Sequence, residues 1–147
     1  MARVLAINIS DKKGVVKKPV DKGDFIENFG LKDDAHAGDW HRQVSLLGQE
    51  SVDKIRALGT IDHLEAGIFA ENILTEGIVL YELPVGTKLK IGETLQEVTQ
   101  IGKKCHHGCE IFQKVGDCVM PREGIFTKVL KGGMVKKGDS IEIIPSE

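Results

Sequence analysis

Pro84-Val85-Gly86-Thr87-Lys88-Leu89-Lys90-Ile91-Gly92-Glu93 reads as a turn followed by alternating apolar and polar residues, and Thr94 to Ile101 alternates again. A period of two puts every second side chain on one face, the mark of a strand with a buried side. Val135-Lys136-Lys137-Gly138-Asp139-Ser140-Ile141-Glu142-Ile143-Ile144 echoes the first segment: valine, a short turn containing glycine, then an alternating strand. The match is too short for a duplication and reads as two similar barrel corners. Gly124 to Leu130 predicts a further strand, with Gly132-Gly133 as a loop behind it.

Working toward the N-terminus, Val4 to Ile9 is an apolar, β-branched run suited to a buried first strand, and Asp11-Lys12-Lys13-Gly14 supplies turn chemistry. Phe25 to Asp33 predicts a second strand and Val44 to Leu47 a third. Val52, Ile55 and Leu58 recur at spacings of three, which predicts a helix over Gln49 to Leu58 with Gly59 as its stop. A shorter helix is expected to start near Cys109, over the run to Val115. Seventeen glycines, many at predicted strand ends, favour a mainly β (α+β) fold: a tightly turned β-barrel or curled sheet with a few peripheral helices. A doubly wound α/β fold would need regular crossover helices, and only one long helix is convincing.

The length of 147 residues fits one domain, residues 1–147, with a single core. Hydrophobic residues at 41%, charged residues at 29% and a formal net charge of -2 give a globular composition without a global bias toward nucleic acid or membrane. Any preference for anions must therefore be local. Met1 to Ser10 has too short an apolar run for a signal peptide, and no stretch approaches membrane-spanning length, so a cytoplasmic location is expected. Three cysteines, an odd number, argue for reduced thiols over a disulfide framework.

Chemistry concentrates in Gly102-Lys103-Lys104-Cys105-His106-His107-Gly108-Cys109-Glu110. Lysines and histidines beside a thiol stabilise the thiolate, the form that attacks electrophiles and binds soft metals. Cys105 and Cys109, with His106 or His107, have the spacing of zinc ligands, but a structural site needs a second pair and only Cys118 remains. A Cys-His nucleophile is a further option, although adjacent residues seldom point at each other as proton transfer requires. Four more segments carry pointed residues. Lys17-Lys18-Pro19-Val20 sets two cations before a residue that fixes the backbone. Asp34 to Gln43 holds His36, His41, Arg42 and the only tryptophan, Trp40, in a loop able to hold an oxyanion. Glu71 and Asn72 lie between apolar residues, where they either recognise a ligand or pin their own backbone. Arg122, before Gly124, offers a planar fork suited to phosphate or to a surface acid such as Glu123.

Taken in order, these segments resemble the MOSC domain, the module named after the C-terminal part of molybdenum cofactor sulfurases. The resemblance spans almost the whole chain. It rests on Val4 to Ser10 followed by Lys17-Lys18-Pro19-Val20, on Asp34-Ala35-His36-Ala37-Gly38 with His41-Arg42-Gln43-Val44-Ser45-Leu46, and on Phe69-Ala70-Glu71-Asn72-Ile73 with Thr75 and Gly77. Cys105 and Met120-Pro121-Arg122-Glu123-Gly124-Ile125-Phe126 complete it. The third stretch is similar to the family's Gly-Glu-Asn-Leu/Ile, with Ala70 in place of the usual glycine, and Lys104 stands where proline is common before the cysteine.

The resemblance implies a barrel-like, strand-rich fold and a site for a molybdopterin-type cofactor or a sulfur species centred on one cysteine. Cys105 looks like that cysteine and the metal contact, with Cys109 the other catalytic candidate. Such a ligand carries a phosphate and a polar pterin, so it calls for cations and directional donors around a thiolate. Lys17, Lys18, Arg42 and Arg122 would supply charge, and His36, Gln43, Glu71, Asn72, His106 and His107 polar contacts. Lys17, His36, Arg42, Asn72, Cys105 and Arg122 are accordingly expected on one concave surface. Pyridoxal phosphate binding is not expected in this domain alone.

Three functions stay open: a molybdenum or tungsten cofactor-binding or sulfur-carrier protein or a small molybdenum-dependent reductase of N-hydroxylated compounds, as the resemblance suggests, or a non-catalytic adaptor without a cofactor. The reductase would need a separate electron-transfer protein, since no flavin, haem or iron–sulfur module is recognisable. The sulfur carrier would need a sulfur-donor protein. Neither nucleic acid nor membrane is an expected partner.

Overall fold

The computed structural model describes residues 2–12, 17–35, 37–57, 71–102 and 123–144, with the backbone alone for 54–57. Among the described residues the elements follow in the order β1 Arg3–Ile9, β2 Lys18–Val20, β3 Lys22–Ile26, β4 Gly30–Leu31, β5 Val44–Gly48, α1 Gln49–Ala57, β6 Ile73–Glu76, β7 Lys88–Ile91, β8 Thr94–Ile101, β9 Ile125–Lys131, β10 Gly133–Lys136 and β11 Ile141–Ile144. A single 3-10 turn, Leu80–Glu82, lies between β6 and β7. The fold is mainly β with few helices among the described residues.

Eight strands form one sheet in the order β11-β7-β8-β9-β5-β6-β1-β2, and β10-β3-β4 form a second. The alternating segments that decide the sequence reading pair with each other. Ile141 lies opposite Ile91 and Ile143 opposite Leu89, while β7 also forms a hairpin with β8 through Ile91 and Thr94. Leu89, Ile91 and Ile141 turn inward, and Lys88 and Lys90 outward, as a period of two requires.

Two expectations need correction. Phe25 to Asp33 is not one strand but the β3–β4 hairpin, in which Phe25 faces Leu31 and Ile26 faces Gly30. The chain reverses at Glu27-Asn28-Phe29, where Asn28 adopts φ 52° and Gly30 φ 119°. Asparagine tolerates this left-handed region and glycine enters it freely. Gly30 is also needed for space, because a Cβ there would lie 2.6 Å from the Gln43 carbonyl oxygen. The loop expected at Gly132-Gly133 shrinks similarly, since Gly133 already belongs to β10.

The second correction concerns the barrel. β11 and β2 remain edges of the large sheet, so no continuous ladder closes it. The reason lies in β1, whose C-terminal half is occupied by β2 through Ile7–Val20 and Ile9–Lys18. Only Ala2 to Val4 is left to meet the turn before β11. There an isolated bridge joins Arg3 to Ser140, and Val4 N–H donates to the Asp139 carbonyl at 2.8 Å. The sheet curls toward closure and stops one short bridge into it.

β5 sits near the middle, antiparallel to β9 and parallel to β6, and all five of its residues are buried. Val44 and Leu46 join Val4, Ile7, Ile73, Val98, Ile125 and Val129 in the apolar core. Ser45 and Leu47 project from the opposite face, where α1 packs against β5 and β6. The helix covers Gln49 to Ala57 as its spacing predicts. Gly59, and the short helix expected near Cys109, lie outside the described residues.

Candidate functional site

The face of the central strands turned away from the core carries a connected set of buried polar groups. Its anchor is a pair. Because Ile9 and Lys18 are cross-strand partners, Ser10 and Lys17 flank the open end of the β1–β2 ladder, and Lys17 Nζ donates to Ser10 Oγ at 2.9 Å. The same ammonium lies 2.7 Å from Asp34 Oδ1, with both side chains 0% exposed, so this ion pair is wholly removed from water. Ser10 N–H donates to Asp34 Oδ1 at 3.1 Å.

Burial acts most strongly on the Asp34 carboxyl and alone would raise its pKa. It is outweighed by the Lys17 hydrogen bond and charge, the Ser10 N–H and the Asn72 side chain, which together hold the pKa below the ordinary 3.8. Asp34 therefore joins Lys17 to Asn72.

Asn72, just before β6, makes three amide hydrogen bonds with Ser45 and Asn8. Its Oδ1 accepts from Ser45 N–H at 3.0 Å and from Ser45 Oγ at 3.1 Å, while its Nδ2 donates to the Asn8 carbonyl at 3.2 Å. Asn8 in turn donates from Nδ2 to the Glu71 carbonyl at 3.1 Å and to Glu71 Oε2 at 3.4 Å. Asn8, Glu71 and Asn72 are all buried. Both readings of Glu71 and Asn72 thus start from one fact: their side chains are held inside, by β1 and β5.

Arg42 approaches the same face from its other side. Its guanidinium carbon lies 4.6 Å from the centre of the Trp40 ring and 5.7 Å from that of Phe126, so the cation stacks against two aromatic rings. Phe126 on β9 is the cross-strand partner of Ser45, which binds Asn72. From β9 across β5 and β6 to β1 is three strand spacings, about 14 Å. Nearby, His41 Nε2 lies 2.9 Å from Gln100 Oε1.

Gln43 is buried with both amide ends engaged. Nε2 donates to Asn28 Oδ1 at 3.2 Å, and Oε1 accepts Val129 N–H at 2.9 Å. These bonds tie the β3–β4 turn to β9. Lys18 is exposed on the edge strand β2. Lys17 and Asn72 are thus brought together and Arg42 shares their face, whereas Lys18 stands at the sheet's edge. His36, Cys105, His106, His107, Cys109 and Arg122 lie outside the described residues, as does Cys118. Sequence reasoning missed Asp34, Asn8, Ser10 and Ser45 as members of the cluster. Nothing in their spacing marks them, because separate segments of the chain meet only in the folded sheet.

The model of the MOSC domain family matches residues 33–142, three quarters of the chain. The chain belongs to the MOSC domain family. No curated protein sequence matches it. Among solved structures it is similar to the YuaD protein from Bacillus subtilis, with a TM-score of 0.82 and 20% identity over 100% of this chain and 98% of that one. YiiM from Geobacillus stearothermophilus follows with a TM-score of 0.74 and 19% identity, covering 99% of this chain and 76% of its own. YiiM from Escherichia coli gives 0.70 and 18%, covering 99% and 71%. At these identities the structural likeness establishes the shared fold. The MOSC family itself is associated with molybdenum cofactor binding.

Whether this MOSC domain suits such a group is tested by atoms the fold leaves over. Arg42 Nε and Asn8 Oδ1 are buried and have no hydrogen-bond partner among the described residues. One is a donor on a cation and the other an acceptor. A molybdopterin-type ligand offers the complements of both, phosphate oxygens and pterin N–H groups, so the donor set fits. Lys17 brings less net charge than its sequence position suggests, because Asp34 neutralises it. Among the described residues no three His, Cys, Asp or Glu side chains cluster to hold a bare metal ion, and no helix is long and apolar enough to cross a membrane.

Proposed function

We propose that this MOSC domain binds a molybdopterin-type cofactor on the back face of its central strands and works as a cofactor-binding or sulfur-carrier protein. The observation that carries the reading is Arg42. Its cation is stacked on Trp40 and Phe126, and its buried Nε lacks a partner among the described residues, on the face that carries the Asn8, Ser45, Glu71 and Asn72 cluster. When bound, the cofactor would supply a metal centre with sulfur ligands. Arg42 would hold an anionic group, and Asn72 and Glu71, locked by Ser45 and Asn8, would fix the pocket wall. The Lys17–Asp34 pair would hold the β1–β2 end of that wall in place.

Cys105 is the proposed thiolate or persulfide carrier and metal contact, with Cys109 as the other candidate. Lys103, Lys104, His106 and His107 would favour its anionic form. Lys18, His36 and Arg122 are proposed as further contacts to the ligand. A soluble sulfur-donor protein is the proposed partner, and the cytoplasm the proposed location.

The test is expression in a host that makes molybdenum cofactor, followed by elemental analysis for molybdenum and tungsten and by fluorescence of the oxidised pterin released from the protein. Near-stoichiometric pterin is the expected result, lost in Cys105→Ser while the variant stays folded. Binding lost in Cys109→Ser alone would move the thiol by four residues and keep the reading. Wild-type protein free of both pterin and persulfide would overturn it.

A further inference from the structure

β8 changes phase before it ends. Val98 is buried in the core opposite Thr127, and strict alternation would send Gln100 inward as well. Instead the register slips between Val98 and Gln100, so that Gln100 stands opposite Phe126 and Thr99 is the extra residue between them. A bulge of this kind re-aims the side chains beyond it. Phe126 is also the partner of Ser45, so Gln100 is turned to the back face of the sheet, where the Arg42 cation lies over the Phe126 ring.

Both residues of the bulge grip His41. The Thr99 hydroxyl donates to the His41 carbonyl, with the Phe126 carbonyl 3.2 Å away as its alternative acceptor. Gln100 Oε1 lies 2.9 Å from His41 Nε2, and Gln100 Nε2 donates to the Gly102 carbonyl at 2.7 Å. The second of these amide bonds decides the chemistry of the first. Only the NH2 end of an amide can face a carbonyl, so the oxygen end faces His41, and that oxygen accepts but cannot donate. His41 Nε2 therefore carries a hydrogen, and the neutral ring keeps Nδ1 bare. The contact fixes both the position and the tautomer of His41.

We propose that Gln100 is a positioning residue whose amide locks the Trp40–Arg42 stack and the Gly102 end of β8 into one unit. On the first side, His41 stands edge-on to Trp40 with ring centres 5.8 Å apart, and its chain neighbour Arg42 stacks on Trp40 and Phe126. On the second, Gly102 adopts φ 70° and donates its N–H to the Gly124 carbonyl at 2.7 Å, which ties off the end of the β8–β9 ladder. Gly102 stands three residues before Cys105 in the sequence. Resting on the reading that Arg42 and Cys105 serve one ligand, the Gln100 amide sets the gap between the anion contact and the start of the thiol segment. His41 is exposed and Gln100 half-buried, so their bond competes with water and adds little to global stability. Its effect is local order, which is what separates positioning from a structural role.

The test uses the full chain twice: isotope-labelled and cofactor-free for NMR, and made in a host that produces molybdenum cofactor for retained pterin. In wild type, nitrogen spectra should show His41 as the Nε2–H tautomer and the Arg42 Nε–H proton moved upfield by the two rings. In Gln100→Leu the tautomer preference and the upfield shift should both fall toward the values of a free side chain, with the urea midpoint near that of wild type. Retained pterin should drop by about tenfold or more, as for the loss of an outer contact that orients a ligand-binding group. His41→Phe cuts the same bond from its other end, keeps a ring beside Trp40, and carries the test if Gln100→Leu fails to fold. The double variant should lose no more pterin than the worse single one, because both act through one contact. An Nδ1–H tautomer in wild type, or an Arg42 signal unchanged in both variants, would overturn the proposal. Wild-type protein without pterin would defeat the cofactor reading alone, and the NMR arm would still decide the role of Gln100.

Discussion

The two faces of β5 are equally buried and differently held. Val44 and Leu46 face an apolar core in which any well-shaped neighbour serves. Ser45, between them, faces Asn72 and makes four specific bonds with it, one through its N–H, one through its carbonyl and two through its hydroxyl. Dispersion and water exclusion have no preferred direction, whereas a buried hydrogen bond needs its own partner at its own angle. The core face should therefore respond to lost volume, and the back face to lost partners.

The sharpest break in that contrast is Asp34→Asn, nearly constant in volume. It leaves the Lys17 ammonium buried against a neutral amide, and breaking one half of a buried pair costs about 3–5 kcal/mol. The urea midpoint should fall accordingly, and a loss under 1 kcal/mol would mean that water reaches the pair. The same carboxylate gives a pH signature. Its folded pKa lies below the unfolded value, so its contribution is complete above about pH 4 and disappears as the pH falls through the folded value. Wild type should lose stability on acidification from about pH 5 to pH 2 more steeply than Asp34→Asn.

On the other face, Leu46→Ala should cost about 2–5 kcal/mol through lost contacts and a cavity between β9 and β6. It should leave the steepness of the acid transition unchanged, because no titrating group is disturbed. A change in that steepness would show that the two faces are coupled and would undo the comparison.

The same asymmetry explains what could be read before folding. Alternation along β7, β8 and β11 is a local property of the chain, so Leu89, Ile91 and Ile141 are legible as core from their own neighbours. The helix is legible for the same reason. Closure of the barrel was not, because it depends on which half of β1 is occupied by β2. Neither was the break in Phe25 to Asp33, where apolar residues hide a turn made by Asn28 and Gly30. In the site, Lys17, Arg42, Glu71 and Asn72 announce themselves by type. Asp34 and Asn8 do not, for their importance lies in partners 17 and 63 residues away. A polar residue's role is set by what the fold places beside it.

The smallest effect is expected from Ser45→Ala, and it tests whether the back face is a set of independent bonds or a redundant network. Asn72 Oδ1 receives two donors from Ser45, and only the hydroxyl is removed, while the backbone N–H at 3.0 Å remains. Asn72 N–H likewise still donates to its backbone partner, the Ser45 carbonyl, at 2.9 Å. Among the described residues no buried group is then left without a partner by the substitution, so the cost should be that of ordinary hydrogen bonds, about 1 kcal/mol. Asn72→Ala is the contrasting case, since it removes both ends of the amide and leaves the Ser45 hydroxyl without its acceptor there; about 3 kcal/mol is expected. Equal losses in the two variants, measured by urea unfolding, would show that the hydroxyl holds the cluster together and that the backbone bonds do not compensate for it.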